Sequence, residues 1–230
     1  MYYFIFYHIP KCGGSSIREF CKNLFINSGY NLENIYIAAK NQGRPNIMSE
    51  NILNNIKYKL ENKKIILSHI NTKLYNLLPS KYNITCIRNP ITRFFSNFNH
   101  FILSNNSNYN LEDLFINNIN KFNEIGVYLI YYNSNYFIND NKSYDFIIIF
   151  ENLNNDLKKL NKNINSKIDI NIPHINPGKD NIINKNYFKF NINNKIHNDI
   201  VDYLKIKLKK DIDIYNNICI NRKLNEYIIK

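Results

Sequence analysis

The sequence predicts an α/β fold: a single P-loop-like domain over residues 1–230, with a central parallel sheet flanked by helices. Three observations predict it. Residues 2–8 (YYFIFYH) form an unbroken apolar and aromatic run, as in a strand buried on both faces of a parallel sheet. A glycine turn follows and opens into apolar residues at helical spacing: Ile17, Phe20, Cys21, Leu24 and Phe25. Further short apolar runs then alternate with helical patterns along the chain, which is the signature of a parallel sheet.

The elements follow in order. Residues 64–69 (KIILSH) read as a second strand and 83–88 (NITCIR) as a third, ending at Asn89-Pro90. Thr92 to Leu103 reads as a helix with Pro90 in its first turn, where a missing N–H is harmless. Residues 111–138 look helical in parts. Tyr144 to Phe150 reads as a buried strand, and Leu153 to Leu160 starts another helix. Residues 161–195 are Asn-rich and irregular, and helical spacing resumes over 196–216 through Ile200, Tyr203, Leu204, Leu208 and Tyr215. No internal repeat or linker interrupts the chain, which predicts one domain.

Composition bounds the function classes. With 230 residues and 44% hydrophobic content, the chain is globular and long enough for a true core. Its 30 basic and 18 acidic residues leave a net charge of +12, which suits a polyanionic partner or a nucleotide with several phosphates. A lysine-rich coding bias gives the same number, so charge alone does not choose. No nucleic-acid motif is present. The apolar run at Tyr2 to Tyr7 is too short for a signal core or a membrane span, so the expectation is a soluble, cytoplasmic protein without a membrane span. Cys12, Cys21, Cys86 and Cys219 lack the paired spacing of a zinc site and are expected to be free thiols. No metal is expected.

The first chemical constellation is His8-Ile9-Pro10-Lys11-Cys12-Gly13-Gly14-Ser15-Ser16-Ile17. A strand feeds a glycine turn that opens a helix, so backbone N–H groups and the positive helix end converge on an anion. Gly13 and Gly14 let a phosphate approach the backbone, Ser15 and Ser16 add hydroxyls, and Lys11 adds a charge. In a Walker A loop the Lys follows the last glycine; here it precedes the pair. The plainer account is a tight strand–helix turn with a serine as N-cap.

The second constellation is Ile87-Arg88-Asn89-Pro90-Ile91-Thr92-Arg93-Phe94-Phe95-Ser96. It holds two of the chain's five arginines. Arg88 lies at the carboxyl end of a buried strand, where open α/β sheets bind ligands, and its fork suits a terminal phosphate. Ser96, on the following helix, is a candidate for the same anion. Arg93 reads equally as an ion-pair or helix-capping residue.

Together, HIPKCGGSSI resembles the 5′-phosphosulfate loop, and IRNPITRFFSNF the 3′-phosphate motif, of sulfotransferases that use 3′-phosphoadenosine 5′-phosphosulfate (PAPS). The likeness is closer to the carbohydrate branch that contains heparan sulfate 2-O-sulfotransferase. Weaker likenesses follow in the family's order: LSHI at 67–70, YDFIIIFENLNNDLKKL at 144–160, HINPGKDN at 174–181 and VDYLKIKLKKDIDIYN at 201–216. The departures are Asn89 for a usual Asp, Ser68 for Gly, and Cys12 and Ser15 for frequent Thr. Asn89 matters most, because a lost carboxylate changes how Arg88 or Arg93 is held.

The resemblance implies transfer of a sulfuryl group from PAPS to a hydroxyl, on a glycan or glycoconjugate, with 3′-phosphoadenosine 5′-phosphate (PAP) as product. It implies that Lys11 neutralises charge on the bridging oxygen, and that Cys12, Gly13, Gly14, Ser15 and Ser16 hold the 5′-phosphate. Arg88 and Ser96 would hold the 3′-phosphate, and Lys179 would help close a loop over the nucleotide. His69 would be the general base. His8 reads as structural, Glu151 as a capping residue, and His100, His174 and His197 have no companion pattern. Two alternatives stay open: a P-loop-type kinase and a non-catalytic basic polyanion-binding protein. Residues 30–60 and 105–140, including Lys40, Arg44, Lys57 and Lys59, would shape the acceptor pocket.

Overall fold

A computed structural model of the chain describes residues 2–37, 62–68, 80–104, 108–125, 144–164 and 188–224. In chain order the elements are β1 (Tyr2–Tyr7), α1 (Gly14–Asn27), β2 (Ile35–Ile37), β3 (Ile65–Ser68) and β4 (Ser80–Ile87). Then come α2 (Pro90–Ser104), α3 (Leu111–Asn117), α4 (residues 119–125), β5 (Phe146–Ile149), α5 (Leu153–Asn163), α6 (Lys195–Lys207) and α7 (Lys209–Leu224). They form two compact units. One holds the described residues up to Ile87 together with 144–164; the other holds Arg88 to residue 125 together with 188–224.

The first unit contains a five-stranded, all-parallel sheet of order β2-β3-β1-β4-β5. β1 is central, and Phe4 to Tyr7 are fully buried, so both its faces are covered. That is why its sequence does not alternate. Its register places Phe6 beside Leu67 of β3 and Ile84 of β4. Thr85 is a fully buried polar residue of this core, and its hydroxyl donates to the Tyr7 carbonyl at 2.9 Å. α1 buries Ile17, Phe20, Cys21, Leu24 and Phe25 and ends in a Schellman turn, with Tyr30 N–H on the Phe25 carbonyl and Gly29 N–H on that of Ile26. α5 packs against β5 and α1.

From β1 the chain runs through α1 to the β2 edge, whereas from β4 it runs to β5 on the other side. The strand order therefore reverses between the carboxyl ends of β1 and β4, the position at which open α/β sheets bind ligands. The loop starting at His8 leaves one of these ends, and Arg88 is the next residue after the other.

The second unit is helical. Phe94, Phe98 and Ile102 stand on one face of α2 and are buried with Leu111, Leu114, Phe122, Ile200, Leu204 and Leu208. Each such ring or aliphatic chain contributes about 1.5–3 kcal/mol by burial. The sequence reads one helix over 196–216; the structure has two, broken at the buried Leu208, where ψ is 14°. β2 was not expected: three residues in a polar surrounding are too few for a periodicity.

Candidate active site

The turn between β1 and α1 carries two left-handed residues, Lys11 at φ 65° and Gly13 at φ 74°. Gly13 adopts this conformation freely, but Lys11 adopts it at a cost of roughly 1 kcal/mol. Such an outlier persists only where the surrounding structure holds it. Lys11 is half-buried. Cys12 is fully buried, and its N–H donates to the Ile9 carbonyl at 3.3 Å. That hydrogen bond closes the turn.

Gly13 is the N-cap of α1, with no side-chain cap, and the first helical hydrogen bond runs from Ile17 N–H to the Gly13 carbonyl at 3.1 Å. The plainer account of the turn put a serine at the N-cap; the cap is Gly13, two residues before Ser15. The N–H groups of Gly14 and Ser15 have no acceptor inside the helix. Ser15 is exposed and Ser16 is buried. The first turn of α1 has no acidic residue. A cation that sequence reasoning missed reaches it. Arg18, one turn on, folds back so that its Nε donates to the Gly14 carbonyl at 3.2 Å. Burial lowers the Arg18 pKa, and among the described residues no carboxylate neutralises it. Its four-residue spacing from Gly14 was the available signal. Lys11, Arg18 and the helix dipole thus put positive charge around one helix start, an arrangement that favours a bound anion.

In the second unit the 88–96 motif forms the start of α2. Asn89 caps the helix: its Oδ1 accepts the N–H of Ile91 at 3.0 Å and of Thr92 at 3.3 Å. An amide oxygen does this as well as a carboxylate, so Asn at this position keeps the helix start intact. Arg88 is half-buried and its Nε donates to Thr92 Oγ1 at 3.1 Å. Ser96 stands one turn beyond Thr92, half-buried, on the same face. Arg88, Thr92 and Ser96 therefore run along one side of the helix start. Thr92 was not expected as a partner, although the i, i+4, i+8 spacing carried that information. Arg93 is a different case. It is only 1% exposed and belongs to the interior of its unit.

His69 and Lys179 lie outside the described residues, as do His174, Lys40, Arg44, Lys57 and Lys59. His197 does have companions. It is buried; its Nδ1 accepts the Asn191 N–H at 2.9 Å and its Nε2 meets Glu112 Oε1. All four cysteines are free thiols, and burial pushes the Cys21 thiol pKa up. No described helix is long and apolar enough to cross a membrane.

A model of the sulfotransferase family matches residues 1–216 of the chain. No curated protein and no solved structure matches it significantly.

Proposed function

The chain belongs to the sulfotransferase family, and on that premise we propose that it transfers the sulfuryl group of PAPS to a carbohydrate hydroxyl, as the heparan sulfate 2-O branch does. Sulfuryl transfer to a hydroxyl-bearing acceptor is common to the family, and PAPS is its general donor. The acceptor oxygen attacks sulfur in line, the bond from sulfur to the 5′-phosphate oxygen breaks, and PAP leaves. As in phosphoryl transfer, positioning and charge stabilisation do most of the catalysis.

The observation that carries this reading is the left-handed Lys11, two residues before the N-cap of a helix start that has no side-chain cap and no acidic residue. Lys11 is assigned to neutralise charge on the breaking bond's oxygen, and Gly13 to Ser16 to hold the 5′-phosphate. Arg88 and Ser96 are assigned to the 3′-phosphate, with Thr92 orienting Arg88. His69 is assigned as the base that takes the acceptor's proton, and Lys179 to the closing loop. We read the two compact units as parts of one transferase domain, because the chain passes from the first to the second after Ile87 and re-enters the first before Tyr144. A cytoplasmic location and a glycan or glycoconjugate acceptor complete the proposal.

Calorimetric titration with PAP, AMP and ATP tests it, on wild type and Arg88→Ala. The expected result is tighter binding of PAP than AMP, with that preference reduced about 30-fold or more in the variant, as for loss of charged hydrogen bonds. Equal affinity for PAP and AMP in the wild type would overturn the assignment.

A further inference from the structure

The turn that carries Lys11 has left-handed backbone at Lys11 and Gly13, and two rings pack against its glycines where side chains would stand. The first is His8. Its ring is 6% exposed and stacks on Phe6, with centroids 5.7 Å apart and planes at 17°. It occupies the space a side chain on Gly14 would need: a Cβ there would stand 1.7 Å from Nε2 and 2.0 Å from Cδ2. The second is Phe150, whose ring does the same at Gly13, where a Cβ would stand 2.7 Å from Cδ2 and 2.8 Å from Cε2. The glycines' missing side chains are thus replaced by protein rings, one from the end of β1 and one from far along the chain.

Phe150 is itself fixed. It opens the 3-10 turn Phe150–Asn152 that follows β5. The buried Asp156 braces that turn, its carboxylate accepting the Ile149 N–H at 2.8 Å and the Asn152 amide at 2.7 Å. The segment Phe150 to Asp156 therefore ends in a ring pressed on the phosphate turn.

We infer that His8 and Phe150 are positioning residues for the phosphate turn: clamped at Gly14 and Gly13, the turn holds Lys11 and the first N–H groups of α1 in the binding geometry before nucleotide arrives. The inference rests on reading this turn as the 5′-phosphate site of the donor. Neither ring needs to touch nucleotide. Each acts through a glycine, by packing where a side chain would stand and so limiting how far the turn and its N–H groups can shift.

A ring that only fills the core would change stability and leave the affinity of the folded protein alone. A positioning ring changes affinity for ligands that carry a 5′-phosphate and spares those that lack it. The test titrates PAP and adenosine 3′-monophosphate into wild type, His8→Ala and Phe150→Leu, at a temperature where circular dichroism shows each folded. PAP binding should weaken about tenfold in both variants, with 3′-monophosphate binding unchanged. Gly14→Ala beside an intact His8 should weaken PAP binding at least as much, and adding His8→Gly should restore most of it, because the methyl then takes the space of the ring. PAP affinity equal to wild type in the folded ring variants, equal losses for both nucleotides, or a harmless Gly14→Ala would each overturn the inference. If the wild type binds no PAP, the site reading falls and this inference with it; if it binds PAP and the variants match it, this inference alone falls.

Discussion

The Nε of Arg88 donates to the hydroxyl oxygen of Thr92 at 3.1 Å, and that hydroxyl donates in turn to the Asn89 carbonyl at 3.1 Å. The guanidinium is thereby oriented by the first turn of the helix it precedes. Thr92→Val keeps the shape of the side chain and removes the acceptor. PAP binding should weaken by about three- to tenfold, roughly 1 kcal/mol, with little change in AMP binding. Paired titrations read both numbers, and an unchanged PAP affinity would show that Arg88 needs no such support.

Asn89 caps α2 through two backbone N–H groups. Asn89→Ala should cost about 1 kcal/mol in urea denaturation, and Asn89→Asp should cost nothing, since either oxygen caps. A destabilised Asn89→Asp protein would mean that the amide nitrogen does something the cap does not explain.

Lys11 sits at φ 65°. Lys11→Gly removes the strain of that conformation and should raise stability by about 1 kcal/mol over Lys11→Ala, which retains it. Both variants should lose sulfuryl transfer. Melting curves and a sulfation assay together separate the backbone effect from the charge. A Lys11→Gly protein that keeps its activity would remove Lys11 from the chemistry.

His197 accepts the Asn191 N–H on Nδ1, so Nε2 is the protonated nitrogen and donates to Glu112. Phe188 and Phe190 pack around the ring, with centroids 4.7 and 5.9 Å away. His197→Ala should destabilise by about 2–3 kcal/mol, because it removes a buried ring and leaves the Asn191 N–H and the Glu112 carboxylate without their partner. Glu112→Gln, which retains the acceptor, should cost about 1 kcal/mol. Nitrogen NMR of the imidazole should find the hydrogen on Nε2.

Cys12, Cys21 and Cys86 are fully buried, whereas Cys219 is half-buried. Burial also pushes the Cys21 thiol pKa up, which keeps it in its unreactive protonated form. A thiol reagent should therefore modify one cysteine quickly in the native protein and all four after unfolding. Cys219→Ser should abolish the fast phase.

Much of the fold was legible because the governing signals are local. The apolar run of β1, the glycine turn and the apolar stripe of α1 lie within one stretch of chain, and so do Pro90 and the stripe of α2. Their boundaries came within a few residues. β2 was missed because three residues carry no period. The break at Leu208 was missed because Leu208 continues the apolar spacing while its backbone departs from the helix. The Arg88–Thr92 hydrogen bond and the return of Arg18 to Gly14 were readable in principle, since both are contacts across four residues.

By itself, the sequence determined the local elements, the order in which they occur, and the residue types offered to an anion at each motif. It did so because helix and strand periodicity, capping and turn chemistry depend on neighbours a few positions away. Only the tertiary structure decided the strand order β2-β3-β1-β4-β5, and with it the reversal that sets the ends of β1 and β4 side by side. It also decided why the glycines are glycines. The constraint at Gly13 comes from Phe150, distant in sequence, and that at Gly14 from a histidine ring folded back over the helix start. Excluded volume acts between whatever the fold brings together, so no local pattern in the chain could announce it.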